Sequence, residues 1–275
     1  MTFIQALILG LVQGVTEFFP ISSSAHLKLA KWFLGIPDGE HLLYFDLVCH
    51  AGTLLALLIY LRKDIIDVLT DLKKIALYAL ALVPLVPAYF LLKPLRLALS
   101  DPMYLGYCLM ITGGILYAAS KKTVINPRLQ LVAEGGKPVP PCQFDTLPKW
   151  RDVLCIGLVQ CLALIPGISR SGSTIATARF CGWEWKEAAR FSFLLSVPTI
   201  LGGQLLETLK LLKGSSEAAG AISWTCYGSG FAAAFIVGLA AVRFVFWVYN
   251  QGSVRPFAAY CLGAGLFAWA VFHHG

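Results

Sequence analysis

Charge is what this chain has least of. Charged residues make up 13% of its 275 positions, against about 25% in soluble domains, while 57% are hydrophobic and the mean hydropathy is +0.72. That deficit excludes an ordinary soluble globule and predicts an integral membrane protein. The eight cysteines contain no C-x-x-C pair, which removes the usual zinc and dithiol patterns; most lie in or beside apolar stretches and read as small core side chains. No G-x-x-x-x-G-K-[ST] loop is present, so nucleotide binding is not expected. The start, Met1-Thr-Phe-Ile-Gln5, lacks the basic n-region of a signal peptide and is read as mature sequence.

What is present is apolar sequence in lengths that match a bilayer. Crossing about 30 Å of hydrocarbon takes about 20 residues of helix, and segments 42–61, 75–92, 102–119, 191–212, 221–242 and 257–272 qualify, the last one being short. Two further apolar stretches, 3–12 and 153–165, are about half as long, and each runs into a polar motif. They read as half-helices, because irregular backbone is tolerated at membrane depth only when buried in protein or lining a water-filled cavity.

The polar motifs are related. Gly10-Leu-Val-Gln13 recurs 147 residues later as Gly157-Leu-Val-Gln160, and the same offset carries Ile21-Ser22-x-Ser24 onto Ile168-Ser169-x-Ser171, with Arg170 in place of Ser23. Phe45 to Thr53 resembles Phe191 to Thr199 at nearly that offset. Each half therefore holds one re-entrant motif and three crossings, and an odd number of crossings turns the second half upside down. The expected fold is an all-α integral membrane bundle of two inverted repeats, 1–119 and 150–275. The turn-rich, cytoplasmic loop 120–149 joins them within a single membrane domain.

Loops 62–74 and 120–151 carry four and six Lys/Arg, which places them in the cytoplasm by the positive-inside rule. Parity then puts 93–101, 213–220 and both termini outside and 243–256 inside. Of the 22 basic residues, fifteen fall on the cytoplasmic side and six on the outer one (Lys28, Lys31, Lys93, Arg96, Lys210 and Lys213), leaving Arg170 at membrane depth. Among the fifteen acids only Glu17 and Asp46 lie well inside apolar sequence, Asp46 one turn before His50. Buried ionisable groups on matching loops mark a functional site.

In the first motif Gln13 and Glu17 share a helix face, and Ser22, Ser23 and His26 can share a face of the helix after Pro20. Glu, Ser and His can supply a base or metal ligand, a nucleophile and a proton shuttle. The plainer alternative is that the serines cap a helix 23–34 and Glu17 only pairs with Arg170. The second motif, Pro166-Gly-Ile-Ser169-Arg170-Ser171-Gly-Ser173-Thr174, concentrates hydroxyls, a guanidinium and glycines as an oxyanion site does. Small-residue helix packing would account for its glycines and serines but not for the arginine. An anion site facing a carboxylate deep in a bundle points to a phosphorylated lipid or phosphate as ligand.

The run Gln13-Gly-Val-Thr-Glu17-Phe-Phe-Pro-Ile-Ser-Ser-Ser-Ala-His26, with Pro166-Gly-Ile-Ser-Arg-Ser-Gly-Ser-Thr174 and Phe45-Asp-Leu-Val-Cys-His50-Ala-Gly-Thr, resembles the paired signatures of the undecaprenyl-diphosphate phosphatase family of the bacitracin-resistance type. The resemblance extends in its arrangement of segments over essentially the whole chain. It implies a multi-pass bacterial inner-membrane hydrolase with its chemistry on the outer side, removing the terminal phosphate of undecaprenyl diphosphate and regenerating the carrier lipid for wall synthesis.

On that resemblance the catalytic residues are Glu17, Ser23, His26 and Arg170, with Gln13 beside them. Gln13, Ser22, Ser169, Ser171, Ser173 and Thr174 are expected to bind substrate. Glu17 is also expected to hold a divalent cation, Mg²⁺ or Ca²⁺, although Gln13 leaves one carboxylate where some members have two. The expected partners are the polyprenyl diphosphate and the bilayer, with no nucleic acid; a homodimer is compatible with such a bundle. The rival class is a transporter or flippase of a phosphorylated lipid or anion, which also uses inverted repeats and a midplane anion site. A receptor or scaffold leaves the buried Glu17 and Arg170 unexplained.

Overall fold

The computed structural model describes residues 1–37, 40–122, 148–213 and 222–274; most of the 120–149 linker and of the 213–220 loop falls outside them. Every regular element among the described residues is helical. Six stretches are long and apolar enough to cross a membrane: Leu42–Tyr60, Leu72–Leu91, Pro102–Lys121, Trp185–Lys210, Trp224–Asn250 and Arg255–His273. These are the six expected from hydropathy, with different ends.

The first half comprises α1 (Phe3–Thr16), α2 (Ser23–Phe33), α3 (Glu40–Tyr60), α4 (Arg62–Leu69), α5 (Leu72–Leu82), α6 (Leu85–Leu91), α7 (Lys93–Ala98) and α8 (Leu105–Lys121). In the second half are α9 (Trp150–Gln160), α10 (Arg170–Phe180), α11 (Trp185–Lys213), α12 (Trp224–Asn250) and α13 (Arg255–His274). The crossing read as 75–92 is not one continuous helix. It breaks between α5 and α6 at Pro84, which has no N–H to give and crowds the preceding turn. Only 6% of Leu72–Leu91 is buried, so this broken crossing faces lipid. In the second half α11 begins six residues before the apolar run and α12 ends eight residues after it. Hydropathy sees only the apolar part, whereas the hydrogen-bond ladder continues through Lys186, Glu187 and Arg190 at one end and through Arg243 to Asn250 at the other.

Both half-helices turn back. The α1 helix opens on a Thr2 and Gln5 capping box, a reciprocal pairing that satisfies two otherwise orphaned N–H groups. Gln5 Nε2 also donates to Leu34 O at 3.1 Å, tying the start of α1 to the end of α2. In the second half Trp183 Nε1 donates to Asp152 Oδ2 at 3.1 Å, tying the end of α10 to the start of α9. The reversals use Pro20 with Ser22, whose φ is +70°, and Pro166 with Gly167, whose φ is +99°. Ser22 is the one non-glycine residue at positive φ among those described, a conformation that costs energy and concentrates at functional turns. Three crossings separate α2 from α9, so the hairpins enter from opposite faces.

Helix packing repeats between the halves. The α1 helix lies on α12 as α9 lies on α5, α3 meets α12 as α11 meets α5, and α8 pairs with α13. The contacts are close because glycines sit in them. A Cβ on Gly10 would stand 2.4 Å from Gly230 O, and one on Gly157, its counterpart 147 residues on, 2.4 Å from Ala81 O. Small residues let helix backbones approach where no water drives association. Phe18, Phe193, Phe246 and Tyr249 fill the largest buried cluster under these contacts.

Candidate active site

The two hairpin tips meet inside the bundle. Gly167 N donates to Ser24 Oγ at 3.2 Å, Ser171 Oγ to Phe19 O at 3.2 Å and Ser169 N to Thr112 Oγ1 at 3.2 Å. Ser23 and Arg170 are the first residues of the two returning helices, so the one substitution in the repeated motif places a hydroxyl and a guanidinium at equivalent positions. The α10 end is capped by Ser169 Oγ, which accepts from Gly172 N at 3.0 Å.

Glu17, buried at 7% exposure, lies between them. Its Oε1 accepts from Arg170 Nη2 at 3.0 Å. Its Oε2 accepts from Ser23 Oγ at 2.8 Å and Gln13 Nε2 at 2.9 Å, and His50 Nε2 stands 3.8 Å from that same oxygen. Arg170 Nη1 is buried and has no hydrogen-bond partner within the protein. One arginine nitrogen is thus held by the carboxylate, and the N–H groups of another are without a partner inside the protein.

The two imidazoles differ. His26 lies close to the serines in sequence, but its Nδ1 is 2.8 Å from Ser22 O, its Nε2 is 2.8 Å from Tyr260 Oη, and its ring stacks on Tyr260. It links Ser22 to α13, and both ring nitrogens are engaged there. His50 is the imidazole facing the carboxylate. Its Nδ1 is 2.8 Å from Asp46 O; a carbonyl only accepts, so Nδ1 is the donor in that bond. The sequence marked Asp46 and His50 as one buried turn without giving His50 a place in the site. Asp46 itself pairs with Lys31 at 2.6 Å.

A cavity of about 420 Å³ opens on this cluster. Its walls include Glu17, Ser22, Ser23 and Ser24, then Leu43, Asp46, Leu47 and His50 of α3. Ser169, Arg170 and Ser171 come from the second hairpin, and Thr199, Ile200, Gly203, Gln204 and Glu207 from α11. Tyr89 and Arg96 also line it. Of the second-motif hydroxyls assigned to substrate, Ser173 and Thr174 do not reach the cavity. Ser173 Oγ donates to Ser169 O, and Thr174 Oγ1 donates to Arg170 O and meets Ser192 Oγ at 2.6 Å. Hydroxyls in helix interiors commonly bond back to the preceding turn, and these two are consumed in holding α10 against α11. Gln13 is also outside the cavity wall and acts on Glu17 alone.

No group of three His, Cys, Asp or Glu side chains able to hold a metal occurs among the described residues. The protein's own donors near the cluster are Glu17 Oε2 and His50 Nε2. Seven cysteines are described, all free.

Fold and site together define a polytopic membrane protein whose two inverted halves share one cluster of carboxylate, hydroxyl and guanidinium at membrane depth. The chain belongs to the family of the bacitracin resistance protein BacA, whose family model matches residues 6–267. It is 38% identical over 267 residues to an undecaprenyl-diphosphatase of Protochlamydia amoebophila, covering 97% of both chains. It is 35% identical to one of Desulforudis audaxviator over 95% of both, and 34% identical to one of Parabacteroides distasonis over 97% of both.

Proposed function

We propose that this protein hydrolyses undecaprenyl diphosphate to undecaprenyl phosphate and inorganic phosphate. It thereby recycles the carrier lipid for peptidoglycan synthesis and confers bacitracin resistance. The observation that carries the reading is the contact of Ser23 and Arg170, from opposite halves, with the two oxygens of Glu17 on the floor of one cavity. Family membership and the names of its relatives support the same reaction over transport.

The prenyl tail stays among the apolar helix faces while the diphosphate enters the cavity. Arg170 and the Ser169 hydroxyl receive the terminal phosphoryl oxygens, and neutralising their charge is the main work in phosphoryl transfer. Ser23 Oγ attacks phosphorus as its proton passes to Glu17 Oε2, the atom it already bonds. The bond from phosphorus to the bridging oxygen breaks, and the prenyl phosphate leaves on that oxygen. Water then attacks the phosphoserine and gives its proton to His50, while Glu17 returns the first proton to Ser23 Oγ as the bond from phosphorus to that oxygen breaks, which restores Ser23 and releases phosphate. A divalent cation, Mg²⁺ or Ca²⁺, would be held by Glu17 together with the diphosphate. Its contribution would be to neutralise phosphoryl charge. The cavity faces the outer side of the inner membrane, because Lys63, Lys73 and Lys74 follow the far end of α3 and basic residues favour the cytoplasm.

The test is phosphate release from a prenyl diphosphate by purified protein in detergent, with EDTA and with added Mg²⁺ or Ca²⁺, together with rapid-quench trapping of phosphate on Ser23. Release that requires Glu17 and Arg170 supports the reading, and a folded protein that releases none refutes it. Quenched protein free of phosphoserine through a full turnover would reassign the attack to water.

A further inference from the structure

We propose that Arg96, which lines the cavity, is a second phosphoryl-binding subsite that takes the phosphate remaining on the lipid while Arg170 takes the one removed. This rests on the phosphatase reading above. Two arginines line the cavity, Arg96 and Arg170. Arg170 is neutralised by Glu17 at 3.0 Å. Arg96 has no ion pair with any described carboxylate, and Glu207, which also lines the cavity, is engaged by Lys210 at 2.7 Å.

Arg96 is also held in place without a counter-charge. Its guanidinium lies 4.3 Å from the centre of the Tyr89 ring, and its Nη1 donates to Tyr89 O at 3.3 Å. Stacking on an aromatic face and one bond to a carbonyl fix the plane of the fork and leave other N–H donors unused, which reduces the ordering cost of gripping an anion.

A diphosphate brings two phosphoryl groups. The terminal one must reach Ser23 and Arg170 to react. The other carries the prenyl chain and lies farther from Ser23 than the scissile phosphate does. Arg96 is the remaining arginine of the cavity lining. Because it holds a group whose charge changes little until the anhydride breaks, it contributes mainly to binding, and its loss should appear in KM more than in kcat.

The experiment compares full-length protein with Arg96→Gln and Arg96→Lys variants on farnesyl diphosphate, with inhibition by farnesyl monophosphate and by inorganic phosphate measured in parallel. Losing one charge-assisted contact should raise KM on the order of tenfold. Inhibition by the monophosphate should weaken by a similar factor, while kcat and inhibition by inorganic phosphate stay close to the unsubstituted values. Arg96→Lys should fall between the two and melt at the unsubstituted temperature, which separates binding from misfolding. Unchanged KM in both variants overturns the subsite. Weakened inhibition by inorganic phosphate with intact inhibition by the monophosphate also overturns it, since Arg96 would then hold the released phosphate. An unsubstituted protein that releases no phosphate refutes the phosphatase reading, and the subsite with it.

Discussion

The 147-residue offset that carries Ser23 onto Arg170 also carries Glu17 onto Leu164, His26 onto Ser173 and Gln13 onto Gln160. At nearly the same offset, Asp46 and His50 of α3 fall on Ser192 and Ser196 of α11. One hairpin has kept a carboxylate and stands beside an imidazole. The other has replaced every such group with a hydroxyl or an apolar side chain and added one guanidinium. Burial follows the chemistry: Ser173, Thr174, Ser192 and Ser196 are all at most 1% exposed and spend their hydroxyls on neighbouring backbone or on one another. A duplicated scaffold has thus been given one reactive side. The second copy has become the wall that supports it and lends it a cation.

The strongest way to break this division is to remove one member of the shared cluster. Arg170→Ala and Glu17→Gln should each lower kcat by 10²-fold or more, by analogy with losing one oxyanion donor. The double variant should cost little more than either single one, because groups that act as a unit are not additive. Full activity in a folded Arg170→Ala protein would show that the second hairpin contributes no chemistry. Thermal unfolding should be followed too, since removing one partner of a buried pair leaves the other charge uncompensated, at about 3–5 kcal/mol.

The scaffold should respond alike on both sides. Gly10→Ala and Gly157→Ala each push a Cβ to 2.4 Å from a facing carbonyl oxygen, and overpacking of this kind costs about 1–3 kcal/mol. Similar losses in unfolding temperature are expected. A loss at Gly10 with none at Gly157 would break the structural equivalence of the hairpins.

The equivalent glutamines should separate the two copies most cleanly. Gln13→Leu removes a bond to Glu17 Oε2 and should cost about tenfold in kcat/KM, a typical effect of one hydrogen bond to a charged group. Gln160 is 1% exposed and both polar atoms of its side chain lack partners. Gln160→Leu should leave activity unchanged and raise or preserve the unfolding temperature, because an unsatisfied buried amide is a cost. Loss of activity in Gln160→Leu would mean that the second copy is not merely structural.

The crossings, the half-helices and the shared pair Glu17 and Arg170 could be read from residue order, because each rests on a local rule about apolar length or the cost of a buried charge. Helix ends could not, since Lys186, Arg190 and Arg243 extend their helices beyond the apolar run. Motif membership also failed to tell which hydroxyls and imidazoles meet the cavity. His26 follows Ser23 by one turn, but Tyr260, 234 residues away in sequence, offers its ring a partner on the far side. His50 reaches Glu17 only because α3 packs beside the α1 hairpin through their common neighbour α12, a tertiary fact with no local signature.

The hairpin tips interlock through Gly167 with Ser24 and Ser171 with Phe19, and residues from both sides of that seam line one cavity. The spacing of Ser23 and Arg170 is therefore set by contacts between the halves rather than within either one.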